Sequence, residues 1–304
     1  MSYVGRFAPS PTGPLHFGSL VAALASYLDA KAHGGKWLVR IEDIDETRCK
    51  AEYATEILRS LQAFGMHWDG DVETQSMRKP LYEGAMQRLT ALGLTYACVC
   101  SRKEIADSAT AGLEGPVYPG TCRNLNIAVD RAETSSIVAT RLRTTPEKIG
   151  FTDLVQGQSE QRIEQEIGDF VLKRRDGLFT YQLAVVVDDA AEGVTHVVRG
   201  ADLLDSTARQ IYLQKLLGLP TPHYLHIPVA VNAQGQKLSK QTLADGISAE
   251  GGDVRGLLLS ALRFLGQPVQ ELLSTPTTSE LLLRSARLWD RSRIPHGRTA
   301  KSPH

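Results

Sequence analysis

The stretch FAPSPTGPLHFGSL, residues Phe7–Leu20, joins a predicted first strand, YVGRFAP, to a predicted first helix. The strand is ended by Pro9. Apolar residues then recur at helical spacing from Ser19 to His33, and Gly34 ends this helix. The next segment, KWLVRIED, predicts a second strand. A strand, a helix and another largely apolar strand are typical of a doubly wound parallel sheet, so we predict an α/β fold.

The loop between this strand and helix has the composition of a phosphate-binding loop. Free N–H groups at a helix N-terminus favour an anion, and His16 and Gly18 stand at that junction. A second candidate element, GQKLSKQ, places Lys237 and Lys240 around Ser239. Taken singly, the first element is a proline-stiffened turn with a surface histidine, and the second is a solvated basic loop. Together they favour a nucleotide site.

The rest of the pattern divides the chain into four regions. A parallel-sheet domain is interrupted by a glycine- and cysteine-containing insertion and followed by a helical region with a basic tail. The predicted boundaries are 1–95 for the first half of the sheet domain, 96–125 for the insertion, 126–245 for the second half with the KLSKQ loop, and 246–304 for the helical region.

Two further expectations concern particular segments. The apolar run Leu183–Val187 in YQLAVVVDDA predicts a central parallel strand that is covered on both faces. Near the C-terminal end, we expect Arg284, Arg287 and Arg291 to share one side of a helix and to be the better candidates for phosphate contact. From Arg298 onward, phosphate contact and a solvated or disordered end both stay open.

The motifs resemble those of a known family. PSPTGPLHFGS resembles the HIGH signature of class I aminoacyl-tRNA synthetases, and KLSKQ resembles their KMSKS loop. RFAPSPTG, RIEDID, TYQLAVVVDD and HVVRGADLLDSTARQ resemble the catalytic domain of glutamyl-tRNA synthetases, and the resemblance covers residues 3–241. Ser19 and Gln241 depart from the signatures. The resemblance implies a Rossmann-like fold, catalysis by His16 and Lys240, and ATP with Mg²⁺ bound by His16, Gly18, Ser19, Lys237 and Lys240.

A glutamate pocket needs arginine for the carboxylates and an acid for the ammonium group. Arg6, Arg199 and Glu42 stand at the ends of predicted strands, where such sheets bind ligands. Ser10 and Tyr181 match the remaining glutamate contacts of the family. For an isolated arginine or glutamate, an ordinary salt bridge is the alternative interpretation.

Three of the four cysteines form a candidate metal site. Cys98 and Cys100 face the same side of a strand, and Cys122 follows the glycine-rich stretch. Structural zinc is nearly always bound by four ligands, and composition alone does not identify the fourth. The family resemblance points to Tyr118 as that ligand and to one structural Zn²⁺. The alternative is a set of buried free thiols. Cys49 stands apart.

The length bears on the RNA acceptor. A full glutamyl-tRNA synthetase continues into a helical anticodon-binding domain, whereas here only residues 242–304 follow the lysine loop. The chain therefore resembles the truncated paralogues that place glutamate on the queuosine base of tRNA(Asp). This predicts L-glutamate, ATP and queuosine-containing tRNA(Asp) as partners. The alternatives are a small glutamyl-tRNA synthetase acting on acceptor ends and a non-catalytic RNA-binding module.

The composition sets no global preference for a partner. Lys and Arg together number 34, as do Asp and Glu, so the formal net charge is zero and nucleic-acid contacts must come from local patches. No apolar run is long enough to span a bilayer, and no secretory signal is recognisable. We therefore expect a cytoplasmic protein with no membrane contact, and a monomer.

Overall fold

The computed structural model describes residues 2–112, 115–125, 127, 138–232, 234–236 and 253–302. Within these residues the α-helices are α1 (Phe17–Ala32), α2 (Ala51–Ala63), α3 (Lys79–Ala91), α4 (Arg102–Ser108), α5 (Ile163–Glu166), α6 (Tyr181–Ala191), α7 (Leu204–Leu217), α8 (Val254–Phe264) and α9 (Thr278–Leu288). The strands are β1 (Val4–Phe7), β2 (Lys36–Ile41), β3 (Glu73–Thr74), β4 (Thr95–Cys98), β5 (Thr110–Gly112), β6 (Gly115–Val117), β7 (Ala139–Leu142), β8 (Lys148–Asp153), β9 (Gly157–Arg162), β10 (Val171–Lys173), β11 (His196–Gly200), β12 (His223–Ile227), β13 (Val229–Val231) and β14 (Thr299–Lys301).

The central sheet has five parallel strands in the order β12–β11–β1–β2–β3. Successive side chains of a strand point to opposite faces. Val198 accordingly packs with α1, α2, α8 and α9 on one face, and Val197 packs with α3, α6 and α7 on the other. The predicted α/β parallel sheet is confirmed. Because the chain order reverses at β1, the carboxyl ends of β1 and β11 flank the crevice in which such sheets bind ligands.

Helix α1 begins where the opening loop predicts it. His16 is its N-cap, in an extended conformation, and its buried face is filled by small or apolar residues together with Asp29. The helix ends before Gly34, whose φ of +63° favours glycine. A Cβ on Gly35 would lie 2.6 Å from the Tyr3 carbonyl oxygen, so glycine lets β2 start directly beside β1.

The expectation for YQLAVVVDDA is wrong. The segment forms helix α6 (Tyr181–Ala191), with Leu183, Ala184, Val185 and Val186 buried against the sheet. A continuous apolar run is compatible with a central strand and with a deeply buried helix, and the run itself holds no periodicity to separate them. The consequence for the site is that Asp188 and Asp189 lie within the last turn of a helix and not at the edge of a sheet.

The inserted and C-terminal regions have their own order. Strands β10, β7 and β4 form an antiparallel sheet, and α4 begins with a capping box of Ser101 and Glu104. At the other end, α8 and α9 pack on α1, and β14 pairs in parallel with β13. The domain boundaries predicted from composition stay predictions.

One expectation for the basic tail is wrong. Helix α9 ends at Leu288, so Arg291 does not share it; Arg291 is instead ion-paired with the buried Asp29 of α1 at 2.7 Å. Arg298 directly precedes β14 and donates to both carboxylate oxygens of Asp205, at 2.5 and 2.7 Å. The charge pattern of the tail does not indicate these partners, because Asp29 and Asp205 are distant from it in sequence.

Among the described helices, not one combines the length and the apolar character that crossing a bilayer requires.

Candidate active site

A cavity of about 930 Å³ opens at the carboxyl ends of β1, β2, β11 and β12. Every residue predicted for ATP or glutamate binding that the structure describes lines this cavity: Arg6, Ser10, His16, Gly18, Ser19, Glu42, Tyr181 and Arg199. Lys237 and Lys240 lie outside the described residues. These eight residues come from four separate parts of the sequence, at positions 6–19, 42, 181 and 199, and the fold brings them together.

His16 sits where the cavity meets the N-terminus of α1. Its Nδ1 accepts a hydrogen bond from the Ser19 backbone N–H at 3.2 Å, and its Nε2 lies 3.0 Å from the Ser19 hydroxyl. The first turn of the helix, Phe17-Gly18-Ser19, holds no acidic side chain. The positive end of the helix dipole is therefore available to an anionic group in the cavity.

Arg6 and Glu42 belong to a buried charge network. The Nε and Nη2 groups of Arg6 donate to the carboxylate of Asp189 at 3.1 and 3.3 Å. Arg40 is fully buried and its Nη2 donates both to Asp189 at 2.8 Å and to Glu42 at 3.1 Å. Asp189 thus holds Arg6 in place from behind the cavity.

The carboxylates of this network differ in their proton affinity. Burial raises the pKa of Asp189, but the charges of Arg6 and Arg40 outweigh burial and leave it below its ordinary value. For Glu42, burial outweighs the same two arginines and the pKa is raised. Glu42 is therefore a carboxylate whose ionised form would gain from a further cation in the cavity.

Arg199 is held on three sides. Its Nε donates to His226 Nε2 at 3.0 Å, its Nη2 donates to the Leu203 carbonyl and the Thr207 hydroxyl, and its Nη1 donates to the Tyr181 hydroxyl at 3.2 Å. His226 in turn contacts Asp153 at 2.6 Å. Burial lowers the pKa of His226 to about 4 despite the Asp153 carboxylate, so the imidazole is neutral at neutral pH.

The sequence analysis missed Asp189, His226 and Asp153. Asp189 stands in the acidic pair that ends YQLAVVVDD, and that pair is a usable signal once the segment is seen as a helix. His226 lies in the strand HYLHI and Asp153 lies 73 residues earlier, so no local pattern connects them.

The three clustered cysteines meet as predicted. The Sγ atoms of Cys98, Cys100 and Cys122 all lie within 4.8 Å of one another. The Tyr118 hydroxyl is 3.4 Å from Cys98 Sγ and 3.5 Å from Cys100 Sγ, and the Arg141 guanidinium lies 3.8 Å above the Tyr118 ring. Three thiols and a phenol converging on one point fit the donor number of structural zinc.

The fold and the cavity are those of a class I aminoacyl-tRNA synthetase catalytic domain. Residues 3–291 match the model of the family of class I tRNA synthetases (E and Q), catalytic domain, and the chain belongs to this family. The predicted resemblance is therefore confirmed.

Curated relatives match over nearly the whole chain. A glutamyl-Q tRNA(Asp) synthetase of Dechloromonas aromatica (strain RCB) is 52% identical over 295 residues, which cover 96% of this chain and 96% of that protein. One from Janthinobacterium sp. (strain Marseille) is 55% identical over 265 residues, covering 86% of this chain and 89% of the relative.

A solved structure has the same fold. The crystal structure of a glutamate tRNA ligase from Elizabethkingia meningosepticum CCUG26117, in complex with its amino acid, superimposes with a TM-score of 0.81 at 23% identity. The match covers 99% of this chain and 67% of that one.

Proposed function

We propose that this protein is a ligase that activates L-glutamate with ATP and transfers it to the queuosine base in the anticodon loop of tRNA(Asp). The observation that carries the proposal is the shared cavity: a helix N-terminus with His16 and the glutamate-type groups Arg6, Arg199 and Glu42 line one space. Relatives about half identical over nearly the whole chain are glutamyl-Q tRNA(Asp) synthetases by name, which supports queuosine as the acceptor.

The first half-reaction joins a glutamate carboxylate to the α-phosphorus of ATP and expels pyrophosphate. Negative charge grows on the phosphoryl oxygens, so the protein helps by placing positive donors there. We assign this role to His16 and the α1 N-terminus together with Lys240, while Gly18, Ser19 and Lys237 bind the nucleotide. Mg²⁺ bound with ATP would supply charge neutralisation on the expelled pyrophosphate.

Glutamate recognition is assigned to the other side of the cavity. Arg6 and Arg199 would bind the two carboxylates, and Glu42 would bind the ammonium group. Burial raises the pKa of Glu42, and the positive ammonium group would stabilise its ionised form. Ser10 and Tyr181 complete the set. In the second half-reaction a hydroxyl of queuosine attacks the activated carbonyl, the bond from the carbonyl carbon to the AMP phosphate oxygen breaks, and AMP leaves as the ester forms and the hydroxyl proton is released. Positioning suffices because the adenylate is already reactive.

We also propose that Cys98, Cys100, Cys122 and Tyr118 hold one structural Zn²⁺. The ion would fix β4 to the turn that follows β6 and so hold the insertion rigid. Burial raises the pKa of the Tyr118 phenol, so zinc itself has to drive its deprotonation.

The test has two arms. Glutamate-dependent exchange of pyrophosphate into ATP, run without tRNA and against a panel of amino acids, is expected to respond to glutamate. Charging is then measured on tRNA(Asp) with and without queuosine, with tRNA(Glu) as a control, and only queuosine-containing tRNA(Asp) is expected to accept glutamate. If none of the amino acids supports exchange, the protein is a non-catalytic module. If tRNA(Glu) is charged, the protein is an ordinary glutamyl-tRNA synthetase.

A further inference from the structure

Asp153 and His226 lie directly behind Arg199, away from the cavity surface. Asp153 ends β8, His226 is in β12 and Arg199 is in the neighbouring strand β11. The Asp153 and His226 side chains are both fully buried. The three side chains form one chain of contacts, with 2.6 Å from Asp153 Oδ2 to His226 Nδ1 and 3.0 Å from His226 Nε2 to Arg199 Nε.

This geometry fixes the proton on the imidazole. A guanidinium N–H only donates, so His226 Nε2 must offer its lone pair to Arg199. In a neutral imidazole the proton then sits on Nδ1 and is donated to Asp153. The Thr207 hydroxyl oxygen also lies 3.3 Å from His226 Nε2. The same hydroxyl donates its proton to the Leu203 carbonyl oxygen at 3.3 Å.

The Asp153 carboxylate has one oxygen reserved for the ring. Its Oδ1 accepts the backbone N–H groups of Val155, Gln156 and His226, at 3.0, 2.8 and 3.1 Å. Its Oδ2 is left to accept the imidazole proton. Because three N–H groups hold Oδ1, the orientation of the carboxylate is fixed. Oδ2 therefore stays in place to accept the proton of His226 Nδ1.

The effect reaches the cavity through Arg199. With Nε fixed by His226 and Nη2 fixed by Leu203 and Thr207, the plane of the guanidinium is set and Nη1 is directed towards Tyr181 and the cavity lining. Carboxylate binding by arginine depends on the orientation of this planar group. We propose that Asp153 and His226 are positioning residues that set Arg199 for a carboxylate of the amino-acid substrate by keeping the imidazole proton on Nδ1. This inference rests on the proposed function.

The sharpest test is Asp153→Asn, which keeps the shape and reverses one hydrogen bond. The three backbone N–H groups retain the amide oxygen at the Oδ1 position, so the amide nitrogen faces His226 Nδ1 and donates to it. The imidazole proton then moves to Nε2, where it opposes the Arg199 N–H. We expect the KM for glutamate in pyrophosphate exchange to rise on the order of tenfold, with the KM for ATP and kcat changing less than about twofold.

Two further variants separate positioning from general damage. Glu160→Gln makes the same carboxylate-to-amide change on the same hairpin, at an exposed pair with Lys148, and is expected to leave both KM values unchanged. In His226→Gln the amide oxygen accepts a hydrogen bond from Arg199 whether the side chain at position 153 is an acceptor or a donor. In that background Asp153→Asn is expected to add less than about twofold to the glutamate KM, so the two substitutions are non-additive.

Nitrogen NMR of the imidazole gives a readout that does not depend on activity. The parent is expected to carry the His226 proton on Nδ1 and the Asp153→Asn variant on Nε2. An unmoved proton, an unchanged glutamate KM or an additive double variant would each overturn the inference. If the parent shows no glutamate-dependent exchange, the proposed function fails and the glutamate role falls with it, while the NMR result still decides where Asp153 places the proton.

Discussion

Arg6, Arg40 and Arg199 are buried at or behind the cavity, and each is held by polar partners. Arg6 is bound by Asp189, Arg40 by several carboxylates, and Arg199 by His226, Thr207 and Tyr181. A buried charge is costly unless it is paired and hydrogen-bonded. The partners therefore do more than stabilise the fold: they determine which N–H groups of each arginine are directed at a ligand.

Tyr181→Phe tests this at the level of a single hydrogen bond. The substitution keeps the ring but removes the hydroxyl that accepts from Arg199 Nη1 at 3.2 Å. We expect the glutamate KM to rise about two- to tenfold with little change in the KM for ATP. The matched control is Tyr212→Phe, which removes a hydroxyl that donates to the Arg143 carbonyl outside the cavity. Equal effects of the two variants on the glutamate KM would contradict the assignment.

The sequence identifies the residues that line the cavity better than the residues behind them. Arg6, Glu42 and Arg199 are predictable because they stand at strand ends next to recognisable motifs. Their partners are not. Asp189 becomes a partner of Arg6 only after α6 packs on the sheet, 183 residues further along the chain. Such contacts depend on tertiary packing, which a local pattern does not encode.

At the scale of elements, the cysteine cluster joins β4 to the turn after β6. Cys98 ends β4, Tyr118 follows β6, and Cys122 lies in the next turn. Among the described residues, the hydrophobic cluster here is small and consists mostly of the four candidate ligands themselves, with Tyr96, Ile105 and Ile127 beside them. A core of this size gives little stability by itself, so a bound metal would be a main source of order here.

Metal content tests this element. The purified parent is expected to carry about one zinc per chain, and Cys122→Ser is expected to carry almost none because it removes one of the three thiolates, which are the strongest zinc ligands of the set. Tyr118→Phe is expected to retain zinc but to release it to a chelator faster than the parent. Cys49→Ser is the control, since Cys49 is outside the cluster, and it should keep full zinc content. A parent without zinc would reject the site.

The elements also differ in how predictable they are. Helix α1 is foreseen because its boundaries carry chemical signals, a polar N-cap and a glycine with positive φ. Helix α6 is mistaken for a strand because its buried core, from Leu183 to Val186, is apolar on all sides. A helix buried this deeply loses the amphipathic pattern that identifies surface helices.

At the scale of the whole molecule, the C-terminal helices belong to the same core as helix α1. Leu258, Leu262 and Leu281 of α8 and α9 are buried with the apolar face of α1. Strand β14 also pairs with β13, whose Val229 and Ala230 line the cavity. The C-terminal region thus supports one wall of the candidate active site.

Asp29 is the polar centre of this connection. Its fully buried carboxylate accepts hydrogen bonds from the Tyr3 hydroxyl, from Trp289 Nε1 at 2.9 Å, and from Arg291 Nε and Nη2 at 2.7 and 2.9 Å. Burial raises the pKa of Asp29, but the hydrogen bonds from Arg291 and Tyr3 outweigh it and the net pKa is lowered. The ionised carboxylate therefore stabilises the folded state.

Asp29→Asn is expected to lower the free energy of unfolding at pH 7 by about 2–4 kcal/mol, because it leaves Arg291 without its charge partner. Urea denaturation of parent and variant measures the loss, and the exposed Asp290→Asn, a neighbour of Arg291 in sequence, is the control. Since the folded pKa is below the unfolded one, the contribution is present above about pH 3.9 and is lost as the pH falls through the folded pKa. The difference in the free energy of unfolding between parent and variant should therefore shrink in acid. A difference that stays constant down to low pH would show that lost packing, not lost charge, causes the destabilisation.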